Sequence, residues 1–132
     1  MRKIEFRGKR KIDGEWVYGD FEYNRKRDIA RIHSYDEELN YKCQTVVMSD
    51  TVGEFTGLTD MNGKDIFEGD IVRMLSRGRE RIGVVRWDDV NPSFCIKTQD
   101  NDIEYDFVKC GEAEIEVVGN IHDKPELLNQ PR

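Results

Sequence analysis

The sequence predicts a mainly β protein: N-terminal antiparallel hairpins, then a small five-stranded barrel or rolled sheet of the SH3-like kind, and a short helical turn near the C-terminal end. Three observations predict it. Helical periodicity is scarce, runs of aromatic and β-branched residues bounded by turn residues recur, and five such runs follow one another at near-regular spacing after Asp70.

Taken in order, Glu15-Trp-Val-Tyr-Gly-Asp-Phe-Glu-Tyr23 lies between Asp13-Gly14 and the polar stretch Asn24 to Asp28, so it reads as a strand entering a turn, with Ile29-Ala-Arg-Ile-His33 as its return. The acidic Ser34-Tyr-Asp-Glu-Glu-Leu-Asn40 reads as a loop or single helical turn, Gln44-Thr-Val-Val-Met48 as a strand, and Ser49-Asp-Thr-Val-Gly53 as a capped turn. The later strands are Ile71–Leu75, Arg81–Trp87, Ser93–Lys97, Glu104–Val108 and Glu114–Val118. In the last two the charged residues alternate with apolar ones, as a half-buried antiparallel strand requires. Asp123-Lys-Pro-Glu-Leu-Leu128 has a polar cap and an early proline, which suits a short terminal helix.

At 132 residues the chain suits one compact structural unit, with a β-rich N-terminal region over 1–56 and a barrel-like region over 57–132. With 37% hydrophobic and 36% charged residues, the composition indicates a modest core under a heavily charged surface. No apolar run follows the basic start Met1–Lys11, so no secretory leader is expected, and no stretch is long enough for a membrane span. Cys43, Cys95 and Cys110 are odd in number and lack a CxxC pair, which favours reduced thiols in a cytoplasmic setting. Charge is segregated: residues 1–42 carry +2, 43–72 carry −5, 73–86 carry +4 and 87–132 carry −7, a total of −6. The far field of such a protein repels nucleic acid, although its one basic stretch could bind locally.

The stretch GLTDMNGKDIFEGDIV, Gly57 to Val72, invites two site readings. A phosphate loop needs a hydroxyl after its lysine, but Asp65 follows Lys64, and a carboxylate there repels phosphate. Asp60, Asp65 and Asp70 could surround a cation only if the turns gathered them. The favoured reading is a structural turn motif made by Gly57, Asp60, Asn62, Gly63, Gly69 and Asp70, with Asn62-Gly63 as a type I′ hairpin and Glu68-Gly69-Asp70 as a second reversal. Asp100 to Glu104 lacks the glycine and the glutamate of a calcium loop and reads as a polar hairpin loop. Arg73, Arg77, Arg79, Arg81 and Arg86, with Trp87, form a candidate contact surface for a protein partner or for nucleic acid.

Residues Thr51 to Val72 resemble the signature of the YopX-like proteins of phages and prophages. Ile4-Glu-Phe-Arg7, Gly14-Glu-Trp-Val-Tyr-Gly-Asp20 and Glu116-Val-Val-Gly-Asn-Ile-His-Asp-Lys-Pro-Glu-Leu-Leu128 extend the similarity over almost the whole chain. The resemblance implies a β-rich, phage-encoded protein acting in the cytoplasm of a bacterial host, and it assigns a catalytic role to no position here. Residues and resemblance together predict a non-catalytic protein-interaction or self-assembling β module with no cofactor, bound metal or membrane partner. Its partners would be copies of itself and an unidentified phage or host protein. The alternative is a nucleic-acid-binding small barrel that uses Arg73 to Trp87.

Overall fold

The computed structural model describes residues 1–76, 78–98, 104–106 and 114–129, and the chain forms two units, Met1–Gly57 and Leu58–Arg132. Among the described residues no helix is long and apolar enough to cross a membrane.

The first unit holds β1 (Phe6–Lys9), β2 (Trp16–Asn24), β3 (Ile29–Asp36), β4 (Tyr41–Val47), a 3-10 turn (Ser49–Thr51) and β5 (Gly53–Thr59), whose last residues pass into the second unit. Strand order is β4-β3-β2-β1-β5-β6, where β6 (Asp65–Phe67) is the strand after the turn that ends β5. Antiparallel register sets Phe21 opposite Ile32 and Ala30 opposite Val47, so one face collects apolar residues while Asp20, Glu22, Arg31 and His33 share the other. Ala30, Ile32 and Val47 are buried, and Phe6, Val17 and Val52 pack against them.

Strand β1 is absent from the sequence-based expectation, because Phe-Arg-Gly-Lys is basic and carries no strand signal. It pairs with β2 on one side and β5 on the other, and Trp16 gives its cations a surface: the Arg7 guanidinium lies 4.6 Å and the Lys9 ammonium 5.8 Å from the indole centre. The acidic stretch also differs from expectation. β3 continues through Asp36 and β4 begins at Tyr41, so the reversal takes up Glu37 to Asn40 alone. Asp36 Oδ1 accepts the Leu39 N–H at 3.0 Å, Asn40 adopts φ 53, and the Tyr35 hydroxyl donates to Asn40 Oδ1, which together pin the hairpin.

The second unit contains β7 (Asp70–Ser76), β8 (Arg79–Asp88), β9 (Ser93–Thr98), β10 (Glu104–Asp106), β11 (Glu114–Asn120) and a 3-10 turn (Pro125–Asn129). Five antiparallel strands run in the order β10-β9-β8-β7-β11, in the places the sequence indicates. The sheet is open, not a closed barrel: among the described residues β10 and β11 lie at opposite ends and do not pair. Its core is Ile66, Val72, Met74, Val85 and Ile96, with Phe94, Ile115 and Val117 packed against them. Ile71, Val84 and Cys95 on the reverse face are buried as well. The terminal turn places Leu127 beside Gly119, and Asn120 Oδ1 accepts the N–H groups of His122 and Asp123 at 3.0 and 2.9 Å. Cys43 is half-buried and Cys95 buried, both as free thiols, whereas Cys110 and the 99–103 loop lie outside the described residues.

Candidate protein-contact surface

The Gly57–Val72 motif resolves into two pieces of backbone chemistry. Asp60 is buried, and its Oδ1 accepts the N–H groups of Asn62 and Lys64, each at 2.9 Å, while Oδ2 accepts the Val117 N–H at 2.9 Å. Burial alone would raise its carboxyl pKa, but the bonds from Val117, Lys64 and Asn62 and the nearby Lys64 charge outweigh it, so the group is held below the usual carboxylate range. The Met61 N–H donates to the Ile115 carbonyl at 2.8 Å. Met61 and the Asp60 side chain thus act as a short surrogate strand against the outer edge of β11. That coverage removes an exposed ladder and occupies the edge that barrel closure would need.

The turn is not the type I′ hairpin expected from Asn62-Gly63. Gly63 has φ 80 but Asn62 is not left-handed, and the Gly63 N–H bonds the Asp60 carbonyl at 3.0 Å. This is a right-handed turn followed by one left-handed glycine. Asp60 decides it, since its carboxylate can reach both following N–H groups only when Met61 and Asn62 curl around it. Gly57 and Gly69 are also left-handed, with φ 90 and 93. Asp70 is 1% exposed and its Oδ2 accepts the Phe67 N–H at 2.7 Å, closing the second reversal. Asp60 and Asp70 therefore face backbone donors. Among the described residues no group of three or more His, Cys, Asp or Glu side chains is placed to hold a metal ion.

Strand register divides the arginines. Arg81 lies opposite Met74 and Arg79 opposite Ser76, on the sheet face that carries the core and Trp87; Arg73, opposite Ile82, and Arg86, opposite Cys95, belong to the reverse face. Arg73 donates to Glu116 Oε1 at 2.6 Å, with Glu80 at 3.9 Å. Arg77 lies outside the described residues. Trp87 is 45% exposed and meets Phe94 edge-on at 5.1 Å. Six strand residues, roughly 20 Å, separate it from Arg81 on the same face.

Among the described residues the first unit exposes more aromatic side chains than the second. Tyr18, Phe21, Tyr23, Tyr35 and Tyr41 are all exposed, and Phe21 joins Phe6 and Tyr23 in a ring series at 5.5 and 6.5 Å. The Tyr23 hydroxyl donates to Asp28 at 2.6 Å, which raises its pKa above the ordinary phenol value. The Tyr41 phenol is likewise raised, first by its hydrogen bond to Cys43. On the polar face Glu22 lies 2.9 Å from His33 and 3.9 Å from Arg31, beside a shallow groove that also includes Asp20 and Lys42.

Terminal strand β4 borders a second open groove, of about 680 Å³, whose opposite wall is Arg10, Lys11 and Ile12. None of the lining residues is acidic. Arg10 pairs with Asp13 at 3.2 Å, outside that lining. Sequence reasoning did not single out this groove. Its two lysines, Lys11 and Lys42, are 31 positions apart in the chain. The available signal was the Lys9-Arg-Lys run ahead of a glycine turn, which register with β4 turns into one wall.

The YopX protein family model matches residues 5–129. Among solved structures, protein EF1440 from Enterococcus faecalis aligns with 97% of this chain and 99% of its own at a TM-score of 0.57; at 19% sequence identity this is a likeness of fold. No curated protein matches the sequence. With 125 consecutive residues matched and the β-rich architecture in place, the chain belongs to the YopX protein family.

Proposed function

We propose that this chain is a non-catalytic protein-contact module, phage- or prophage-encoded and working in the cytoplasm of the host, which binds other proteins and copies of itself. The observation that carries the reading is the exposed aromatic side chains of the first unit: Phe21, Tyr23 and Tyr41 on one face of its antiparallel sheet and Tyr18 and Tyr35 on the other. Rigid amphipathic rings bury large area with little loss of rotamer freedom, which makes them the usual anchors of protein interfaces. Light scattering across a concentration series tests the self-association component: mass above the monomer value, rising with concentration, is expected, and a strict monomer at high concentration removes it.

The nucleic-acid alternative is supported by Trp87, a 45% exposed indole that could stack on a base. It predicts salt-sensitive binding to single strands that weakens when Arg79 and Arg81 become alanine. Absence of binding at low salt excludes it.

A further inference from the structure

A sheet edge left open is a template for another strand. Strand β4 ends its sheet, and the bridge between Arg10 and Val47 shows which of its backbone groups face away from β3. Lys11 N–H donates to the Val46 carbonyl at 3.1 Å and Met48 N–H to the Lys9 carbonyl at 2.9 Å. By strand alternation the N–H and C=O groups of Lys42 and Gln44 point to the same outer side, while Cys43 and Thr45 bond β3. The Arg10–Ile12 segment covers the edge at Val46 and goes no further along it. Among the described residues nothing hydrogen-bonds the outward groups of Lys42 and Gln44.

Charge then selects the occupant. Arg10, Lys11 and Lys42 line the groove with no carboxylate among its lining residues, and among the described residues Lys11 and Lys42 make no ion pair. A second β4 paired about Gln44 is the wrong occupant. Antiparallel pairing centred on Gln44 would set Lys42 of one copy against Val46 of the other, where the other copy's Lys11 already bonds. Like charge and an occupied backbone both oppose it. We infer that the outer edge of β4, from Tyr41 to Thr45, takes an extended acidic segment of a partner protein as an added strand. Lys42 and Gln44 supply the ladder bonds, and Lys11 and Lys42 hold the incoming carboxylates. The inference rests on the protein-contact reading and gives the partner's chemistry.

The test uses the full chain, isotope-labelled, and short synthetic peptides that alternate Glu with Thr or Val, with Lys replacing Glu in the control. The acidic peptide is expected to shift the Lys42 and Gln44 amides and slow their exchange, the Lys peptide to leave them unchanged, and alternate N-methylation of the acidic peptide to abolish the response. Combining Lys11→Glu with Lys42→Glu should weaken acidic-peptide binding roughly tenfold, from two lost charge pairs. Gln44→Pro removes one outward N–H without taking a bond from β3 and should also abolish the response. If that variant does not fold, the N-methylated peptide asks the same question of the intact protein. Equal responses to acidic and basic peptides, responses centred outside Tyr41–Val46, or no response would overturn the inference. Light scattering on the same samples separates the two levels: self-association without a response at Lys42 and Gln44 removes the β4 site and leaves the protein-contact reading, while absence of both removes both.

Discussion

Replacing Asp60 with alanine deletes one carboxylate and three hydrogen bonds at once. The side chain is 7% exposed and accepts from Asn62, Lys64 and Val117, each at 2.9 Å. After truncation, water can reach the N–H groups of Asn62 and Lys64, whose residues are exposed, so their joint loss is that of a cap, about 1 kcal/mol. The Val117 N–H lies on a half-buried strand and loses a charged acceptor, a cost of about 1.5–3 kcal/mol. Relief of the carboxylate's own burial offsets part of this, so Asp60→Ala should destabilise the Leu58–Arg132 unit by about 2–4 kcal/mol. Amide hydrogen exchange is the suitable assay, because it reads each unit separately, and the Val117 and Lys64 amides should show the largest loss of protection. Exposed Asp89 is the control, and Asp89→Ala should fall within about 0.5 kcal/mol of wild type. Asp60→Ala indistinguishable from Asp89→Ala, or unchanged protection at Val117, would refute the reasoning.

The same carboxylate makes stability depend on acid. Its folded pKa is depressed, so its contribution is fully present above the unfolded value of about 3.9 and is lost as pH falls through the lower folded value. Asp60→Asn should therefore flatten the acid limb of a stability-against-pH curve below about pH 4, measured by urea titration; an acid limb identical to wild type's would count against it. Ile96 is fully buried in the second unit's core, so Ile96→Ala should cost about 2–5 kcal/mol in denaturant midpoint, and a loss under about 1 kcal/mol would show that the cluster is loosely packed. A Cβ on Gly83 would lie 2.7 Å from Ile96 Cγ2 and 2.8 Å from the Lys97 carbonyl oxygen, so Gly83→Ala should force β8 and β9 apart and cost about 1–3 kcal/mol by the same titration. Arg73→Ala removes a half-exposed pair with Glu116 and should cost less than about 1 kcal/mol; a larger loss would mean the pair is more than a surface contact.

The fold class and the five strands from β7 to β11 are legible in the sequence, because there the alternation of Val, Ile and Phe with charged residues coincides with Gly, Asn and Pro punctuation. Asp60, Gly63, Gly69 and Asp70 read as turn residues in the sequence because glycine and aspartate at chain reversals answer a local backbone demand. Strands β1, β5 and β6 were not legible. Phe6–Lys9 reads as a basic tail until Trp16 is brought under its arginine, and three residues such as Asp65–Phe67 carry too little pattern to register as a strand. Tertiary structure alone decided that the second sheet stays open, because the closing edge is taken by Met61 and an aspartate 57 residues away from the N–H it accepts. It also decided that the arginines of one basic stretch part to two faces, since a strand sends successive side chains in opposite directions. The cationic lining along β4 has the same origin: Lys11 and Lys42 are remote in sequence and come to line one groove through the backbone bridge between Arg10 and Val47. Sequence pattern reports what each segment needs locally, and the composition of a surface is settled only when register places those segments side by side.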